Sequence, residues 1–357
     1  MHFGGSTVVG KLSRVLGSFS RCFTCVYIAQ HKERLVLSSG VKMPSITKYL
    51  TELLYKKEAE APPPITTSTA VLLLVLYTLL YVIPFYLSPK TRPSPTLSRD
   101  APSVIRARIT SVTITCAVTS LTTFAVLTRV GGYDAGGALH ALGYWPVGLA
   151  EALKALLLTA TLFLGPLFEA LVVEDGWRDW VALEPVKEVL REMTAWRNIV
   201  AGPLTEEILF RSAAVPLMVL ARTPLARTIF VSPLVFGLAH VHHFYEFRVT
   251  HPGVPPAAAL LRSAFQLGYT TLFGAYATFV YLRSGSLLAV FAVHVLCNCM
   301  GLPRVWGSVE GRGRNGDAVP VGRVWSLAYY VLLVVGAVGW WRQLWTWTES
   351  SNALVAM

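Results

Sequence analysis

The stretch Pro203 to Arg211, PLTEEILFR, sets two adjacent carboxylates, Glu206 and Glu207, just before a guanidinium, Arg211, inside an apolar run. Glu207 and Arg211 stand four apart. On a helix they share a face, in the favourable acid-before-base order. Glu206 then points about a quarter-turn away, with no partner on its own helix. A buried carboxylate either keeps its proton or is met by a group from another element. Two other apolar segments offer such groups. Phe236 and His240 are four apart in one, and His294 and Asn298 are four apart in the next. Together these residues hold what hydrolysis of a carbonyl compound requires. A carboxylate and an imidazole can share a water and deprotonate it. A second imidazole and an amide can donate to a developing oxyanion.

Each piece also has a bland reading. Adjacent glutamates on a helix usually mark a solvated face, and a histidine on a membrane helix usually makes one interhelical bond. Three such pieces in apolar segments of one chain favour an intramembrane hydrolase. Two other classes compete: a non-catalytic membrane scaffold, and a proton-coupled transporter using Glu206 and His240 as a relay. The sequence has no internal repeat and no pair of broken helices, which weakens transport. Cys297 follows His294 by three positions, so a thiol mechanism also competes. A nucleophilic thiolate needs an electropositive, partly exposed setting, and the neighbouring glutamates oppose one. No metal is expected. The chain has no HExxH motif, and Asn298, on the face of His294, is a poor zinc ligand. No cofactor is implied.

Positioning these groups falls to the remaining elements. Of 357 residues, 54% are hydrophobic and 14% charged, against about 25% charged in a soluble domain. The mean hydropathy is +0.52. The expected fold is all-α: a polytopic membrane protein with about eight transmembrane helices and the site inside the bundle. The apolar runs cover 68–87, 109–128, 148–173, 198–221, 226–245, 256–282, 287–301 and 324–345; a span needs about 20 residues. The segment EPVKEVLREM reads as an amphipathic helix at the interface. Trp325, Trp340, Trp341, Trp345 and Trp347 flank or lie along the last run, as interfacial aromatics do.

Three regions follow. Residues 1–65 read as a mobile N-terminal extension, with a lone CxxC at Cys22 and Cys25 and a second methionine at Met43. Residues 66–347 form the transmembrane domain, and 348–357 a C-terminal tail. The net charge of +11 is spread through loops, which suits anionic lipid headgroups rather than nucleic acid. Gln266, Tyr269 and Tyr276 are candidates to line a substrate cavity.

The order EExxxR, FxxxH, HxxxN resembles the glutamate-dependent intramembrane proteases that include CAAX prenyl endopeptidases and bacteriocin-processing enzymes. Glu206, Glu207 and Arg211 match the first motif, Phe236 and His240 the second, His294 and Asn298 the third. The stretches RDAPSVIRARITSV, FGLAHVHHF and HVLCNCMGLP extend the likeness to the eukaryotic type II CAAX prenyl endopeptidases, over residues 65 to 305. The resemblance implies removal of the C-terminal aaX tripeptide from prenylated CAAX proteins such as Ras-like small GTPases. It also implies a multi-pass location in the endoplasmic reticulum membrane. Within it Glu206 is the general base, His240 holds the same water, and His294 and Asn298 stabilise the oxyanion. Glu207, Arg211 and Phe236 support the site. An alternative for Arg211 is to grip the substrate's terminal carboxylate with two hydrogen bonds.

Overall fold

The computed structural model describes residues 62–357, apart from 95–96 and 314–315. Cys22, Cys25, Met43 and nearly all of the expected extension lie outside the described residues. Beyond them the chain is helical, as the apolar runs require. We label eight helices: α1 (Thr67–Val82), α2 (Pro102–Arg129), α3 (Leu149–Leu162), α4 (Gly202–Glu207), α5 (Leu225–Ala239), α6 (Pro256–Ser284), α7 (Leu287–Met300) and α8 (Arg323–Trp347). A two-stranded antiparallel ribbon, β1 (Glu310–Arg312) and β2 (Ala318–Pro320), precedes α8.

Every expected run is helical, but not every run is long and apolar enough to cross a bilayer. Among the described residues four helices are: Thr67–Leu87, Pro102–Arg129, Leu225–Thr250 and Arg323–Trp347. A fifth crossing results if α3 and Leu164–Val173, bent by 83°, count as one. The bend follows from Pro166, which cannot return a hydrogen bond to the carbonyl four residues back. α6 has 29 residues and length to spare, but Arg262, Ser263, Gln266 and Arg283 make it less apolar. α7 has only 14 residues.

The run at 198–221 is the least regular. Two π-helical turns, Arg197–Ala201 and Ile208–Ala213, flank the short α4. Such turns insert an extra residue and re-aim the side chains beside them, and they cluster at functional sites. Here they bracket both glutamates.

Helix packing rests on small residues and short polar bonds, as expected where lipid supplies no hydrophobic drive between helices. The Thr123 hydroxyl donates to the Ala213 carbonyl at 2.9 Å and lies 3.1 Å from the Tyr77 hydroxyl. Thr115 donates to Leu80 across the α1–α2 contact. α5 packs along α6, and α3 receives both α7 and α8. The last residues are tied down too: the Leu354 N–H donates to the Leu282 carbonyl, and Asn352 donates to Glu151.

α7 is aimed by the turn before it. Gly285 sits in the left-handed region, at φ 58°, and Ser286 then caps α7 by accepting from the Ala289 N–H at 3.1 Å. A Cβ on Gly285 would lie 1.9 Å from the Asn352 carbonyl oxygen. Gly285→Ala is therefore expected to cost about 1–3 kcal/mol or more, seen as a lower thermal unfolding midpoint in detergent. An unchanged midpoint would contradict this packing of α6, α7 and the C-terminus.

Candidate active site

Glu207 is fully buried and meets two partners. Its Oε1 accepts from Arg211 Nη1 at 3.1 Å, the i,i+4 pair read from the sequence, and from His294 Nδ1 at 2.7 Å. Because Glu207 takes a proton on that side, Nδ1 of His294 is the protonated nitrogen, and Nε2 faces the other way. There it stands 3.8 Å from Glu206 Oε2. The chain Arg211–Glu207–His294–Glu206 thus crosses from α4 to α7. The pattern of a carboxylate fixing the tautomer and orientation of a histidine recurs in enzymes.

Arg211 is buried as deeply, at 1% exposure. Its guanidinium carbon lies 4.7 Å from the Phe236 ring centroid and 5.6 Å from that of Phe273. The two rings offer their negative faces to the cation. Phe236 also packs edge-on against Phe210 and His240. The FxxxH spacing therefore sets an aromatic under the arginine and a histidine one turn on. Phe273 was not read from the sequence as a site residue. It contacts both Arg211 and His294, yet a phenylalanine in an apolar helix carries no local signal.

His240 ends α5. Its Nδ1 donates to the Phe236 carbonyl at 2.9 Å, one of the carbonyls left free at a helix C-terminus. This leaves Nε2 as an acceptor. Asn298 donates from Nδ2 to the Asn198 carbonyl at 2.9 Å, and its second N–H is available.

Glu206, His240 and Asn298 line one cavity of about 410 Å³. Tyr81, Phe85, Val112 and Phe210 supply an apolar wall, and Asn198, Arg99, Arg108 and Arg197 a polar one. His294 is buried behind Glu206 and is not in that lining. Gln266, Tyr269 and Tyr276 do not line it either. The Tyr276 hydroxyl instead bonds Thr159 at 2.8 Å. Aromatic and amide groups on α6 had no way of declaring from sequence which neighbour they face. The reading of Arg211 as a carboxylate grip is likewise set aside, because Arg211 is sealed beneath the phenylalanines and does not reach the cavity.

The polar wall has its own ion pairs. Glu246 Oε1 accepts from Arg108 Nη2 at 2.8 Å, and its Oε2 from His243 Nδ1 at 3.1 Å. Burial lowers the pKa of Arg99 from its ordinary value while Glu246 opposes the shift; that value starts high enough for the group to stay charged at neutral pH. His242, His243 and Glu246 form the one group of three candidate metal donors among the described residues. Glu246 is already neutralised by two arginines, which would repel a dication. Cys297 packs in the apolar cluster with Val293 and Tyr276. His294 holds its Nδ1 on Glu207 and turns its Nε2 toward Glu206, which leaves no base assigned to a thiol.

Residues 191–300 match the family described as type II CAAX prenyl endopeptidase Rce1-like. That interval holds all seven residues of the three motifs. The Schizosaccharomyces pombe protein named probable CAAX prenyl protease 2 is 37% identical over 276 residues, covering 77% of this chain and 92% of the relative. The protein belongs to the type II CAAX prenyl endopeptidase family. The Homo sapiens CAAX prenyl protease 2 is 38% identical over 242 residues, 63% of this chain and 71% of its own. The Saccharomyces cerevisiae protein of that name is 27% identical over 296 residues, 75% and 92%. No solved structure matches the chain. As a member of this family the chain is a peptide hydrolase in a multi-pass membrane setting, and the scaffold and transporter readings fall away.

Removing Arg211 would leave Glu207 charged and half-paired in an apolar interior. Arg211→Ala is expected to destabilise the protein by about 3–5 kcal/mol, the usual result of stripping one partner from a buried pair. Thermal unfolding in detergent measures it. A loss under about 1 kcal/mol would show that the pair is solvated.

Proposed function

We propose that this CAAX endopeptidase removes the terminal aaX tripeptide from prenylated proteins by water attack, with Glu206 as the base. The observation that carries the reading is the cavity itself: a half-buried carboxylate, an acceptor imidazole and a free amide N–H share one space in a helical bundle. Polar lining at membrane depth is tolerated only where it faces a cavity or other protein.

In the proposed reaction a water lies between Glu206 and His240 Nε2, which orients it by accepting a hydrogen bond from its second O–H. Glu206 takes one proton as the oxygen attacks the carbonyl of the prenylated cysteine. The electron pair moves to the carbonyl oxygen, which receives a hydrogen bond from Asn298. His294 Nε2 can add a second donor only as the imidazolium, because Nδ1 is committed to Glu207. Glu207 offsets that positive charge. When the oxyanion collapses, the C–N bond breaks and the leaving amine takes the proton held by Glu206. The new carboxylic acid gives its remaining proton to the released amine, so the products are a prenylcysteine carboxylate and a free tripeptide with a charged amino terminus.

Glu207, Arg211 and Phe236 are positioning residues in this scheme. The substrate class includes Ras-like small GTPases, and the site is the endoplasmic reticulum membrane, as the family resemblance implies. No metal takes part: the carboxylate–imidazole pair can activate water without a Lewis acid. Residues 66–347 form the catalytic domain, with 1–65 as an extension outside the chemistry.

Purified protein in detergent is expected to release a tripeptide from a farnesylated or geranylgeranylated CaaX peptide, with no ion gradient and undiminished by a strong chelator. The non-prenylated peptide should be cut at least about tenfold more slowly. Mass spectrometry of the released fragment reads the result. Cleavage at another bond, or activity that vanishes with chelation and returns with zinc, would overturn the scheme.

A further inference from the structure

The proposed chemistry leaves three arginines of the cavity wall unused. Arg108 is spent on structure: Nε and Nη2 donate to the Thr91 carbonyl at 3.1 and 2.8 Å, and Nη2 also reaches Glu246. Arg197 is partly spent. Its Nη1 donates to Asp100 Oδ1 at 2.8 Å and to the Arg99 carbonyl at 3.3 Å, and its Nε to Asn198 Oδ1 at 3.0 Å. Its Nη2 makes none of these bonds. Arg99 has only loose ion pairs, 3.5 Å to Glu246 and 3.8 Å to Asp100, and its side chain is 42% exposed.

Three guanidiniums share two ion-paired carboxylates, Glu246 and Asp100. The other carboxylate of the wall, Glu206, is turned to His294. Arg99 and the Nη2 edge of Arg197 are therefore the groups placed to meet an anion. The place is well supported. Arg108 rises from α2, and Arg197 opens the π-helical turn that leads into α4 and Glu206. The residue after Arg197 is Asn198, whose carbonyl holds Asn298. Arg197 is therefore joined to the reacting end through the neighbouring Asn198 and its bond to Asn298.

We propose that Arg99 and Arg197 bind the free α-carboxylate of the substrate's last residue, and so measure the cut from the C-terminus. This rests on reading the substrate as a prenylated C-terminal tail. A guanidinium suits a carboxylate because its N–H groups form a planar fork. An extended tripeptide reaches about 10 Å, the scale of this cavity, and its two aliphatic side chains would lie along the apolar wall of Tyr81, Phe85 and Val112.

The test compares a farnesylated CaaX peptide with its C-terminal amide, which differs only in lacking the negative charge. For the wild type the amide should be about 10- to 100-fold lower in kcat/KM, mainly through KM, the worth of one charge-assisted hydrogen bond. Arg99→Gln and Arg197→Gln should lower kcat/KM for the acid by a similar factor, leave the amide nearly unchanged, and bring the acid-to-amide ratio toward one. The same ratio is read in binding with an uncleavable farnesylated peptide, acid against amide, by fluorescence anisotropy. Equal cleavage of acid and amide by wild type would overturn the clamp, as would variants that slow both alike and keep the ratio. An acid preference in binding without any turnover would support the clamp and sink the protease scheme instead.

Discussion

Everything at this site hangs on one buried carboxylate. Glu207 is completely shielded, and an ionised group there is stable only if its charge is met locally. Arg211 supplies the charge, held between Phe236 and Phe273, and His294 supplies the second hydrogen bond. The result is more than neutralisation. The bond to Glu207 decides which nitrogen of His294 carries a proton and turns the other toward Glu206. Pairs of this kind are poor stabilisers when set against an apolar core of the same shape. Their value here lies in orientation, because the groups they fix belong to three separate elements: α4, α7 and the π-helical turn between α4 and Ala213.

The same constraint explains the shape of the surrounding bundle. A glutamate, two histidines and an amide at this depth must face one another or a cavity. The chain arranges this by breaking its regular helices where the polar groups sit. π-helical turns flank α4, α5 ends at His240, and α7 is short and begins from a left-handed glycine. The long, apolar, uninterrupted helices α1 and α2 pack against the π-helical turn after α4 and supply part of the cavity's apolar wall, and α8 packs on α3. The break at His240 leaves the Phe236 carbonyl free to fix that imidazole. Irregularity in the backbone is thus what brings the reacting side chains to a common space.

Much of this was legible in the sequence, for physical reasons. Charged residues in apolar runs are rare enough to stand out, so Glu206, Glu207 and Arg211 announce themselves, and the spacing of four correctly pairs Glu207 with Arg211. The helical runs were visible from hydropathy alone. What stayed hidden depends on which elements meet. Nothing local pairs His294 with Glu207 rather than Glu206 alone, since the two residues are 87 positions apart. Arg99, Arg108 and Arg197 carry no local signal that sets them apart from the chain's other basic residues, and only the cavity gathers them. Gln266, Tyr269 and Tyr276 are polar groups on an apolar helix, and polarity does not say which neighbour a side chain meets; the Tyr276 hydroxyl meets Thr159. The number of crossings is not legible for a related reason: an apolar run of the right length can be bent, as at Phe163, or broken, as around Glu206.

The central claim is that Glu206, rather than Glu207 or Cys297, activates the attacking water. Its most direct test is the rate of tripeptide release by Glu206→Gln, a change that keeps the size and removes the base. The comparison is made with wild type, on protein whose unfolding midpoint in detergent matches it. The account predicts that the variant is folded and its cleavage falls below detection. A folded Glu206→Gln protein that retains a tenth or more of the wild-type rate would contradict it and move the base elsewhere in the cavity.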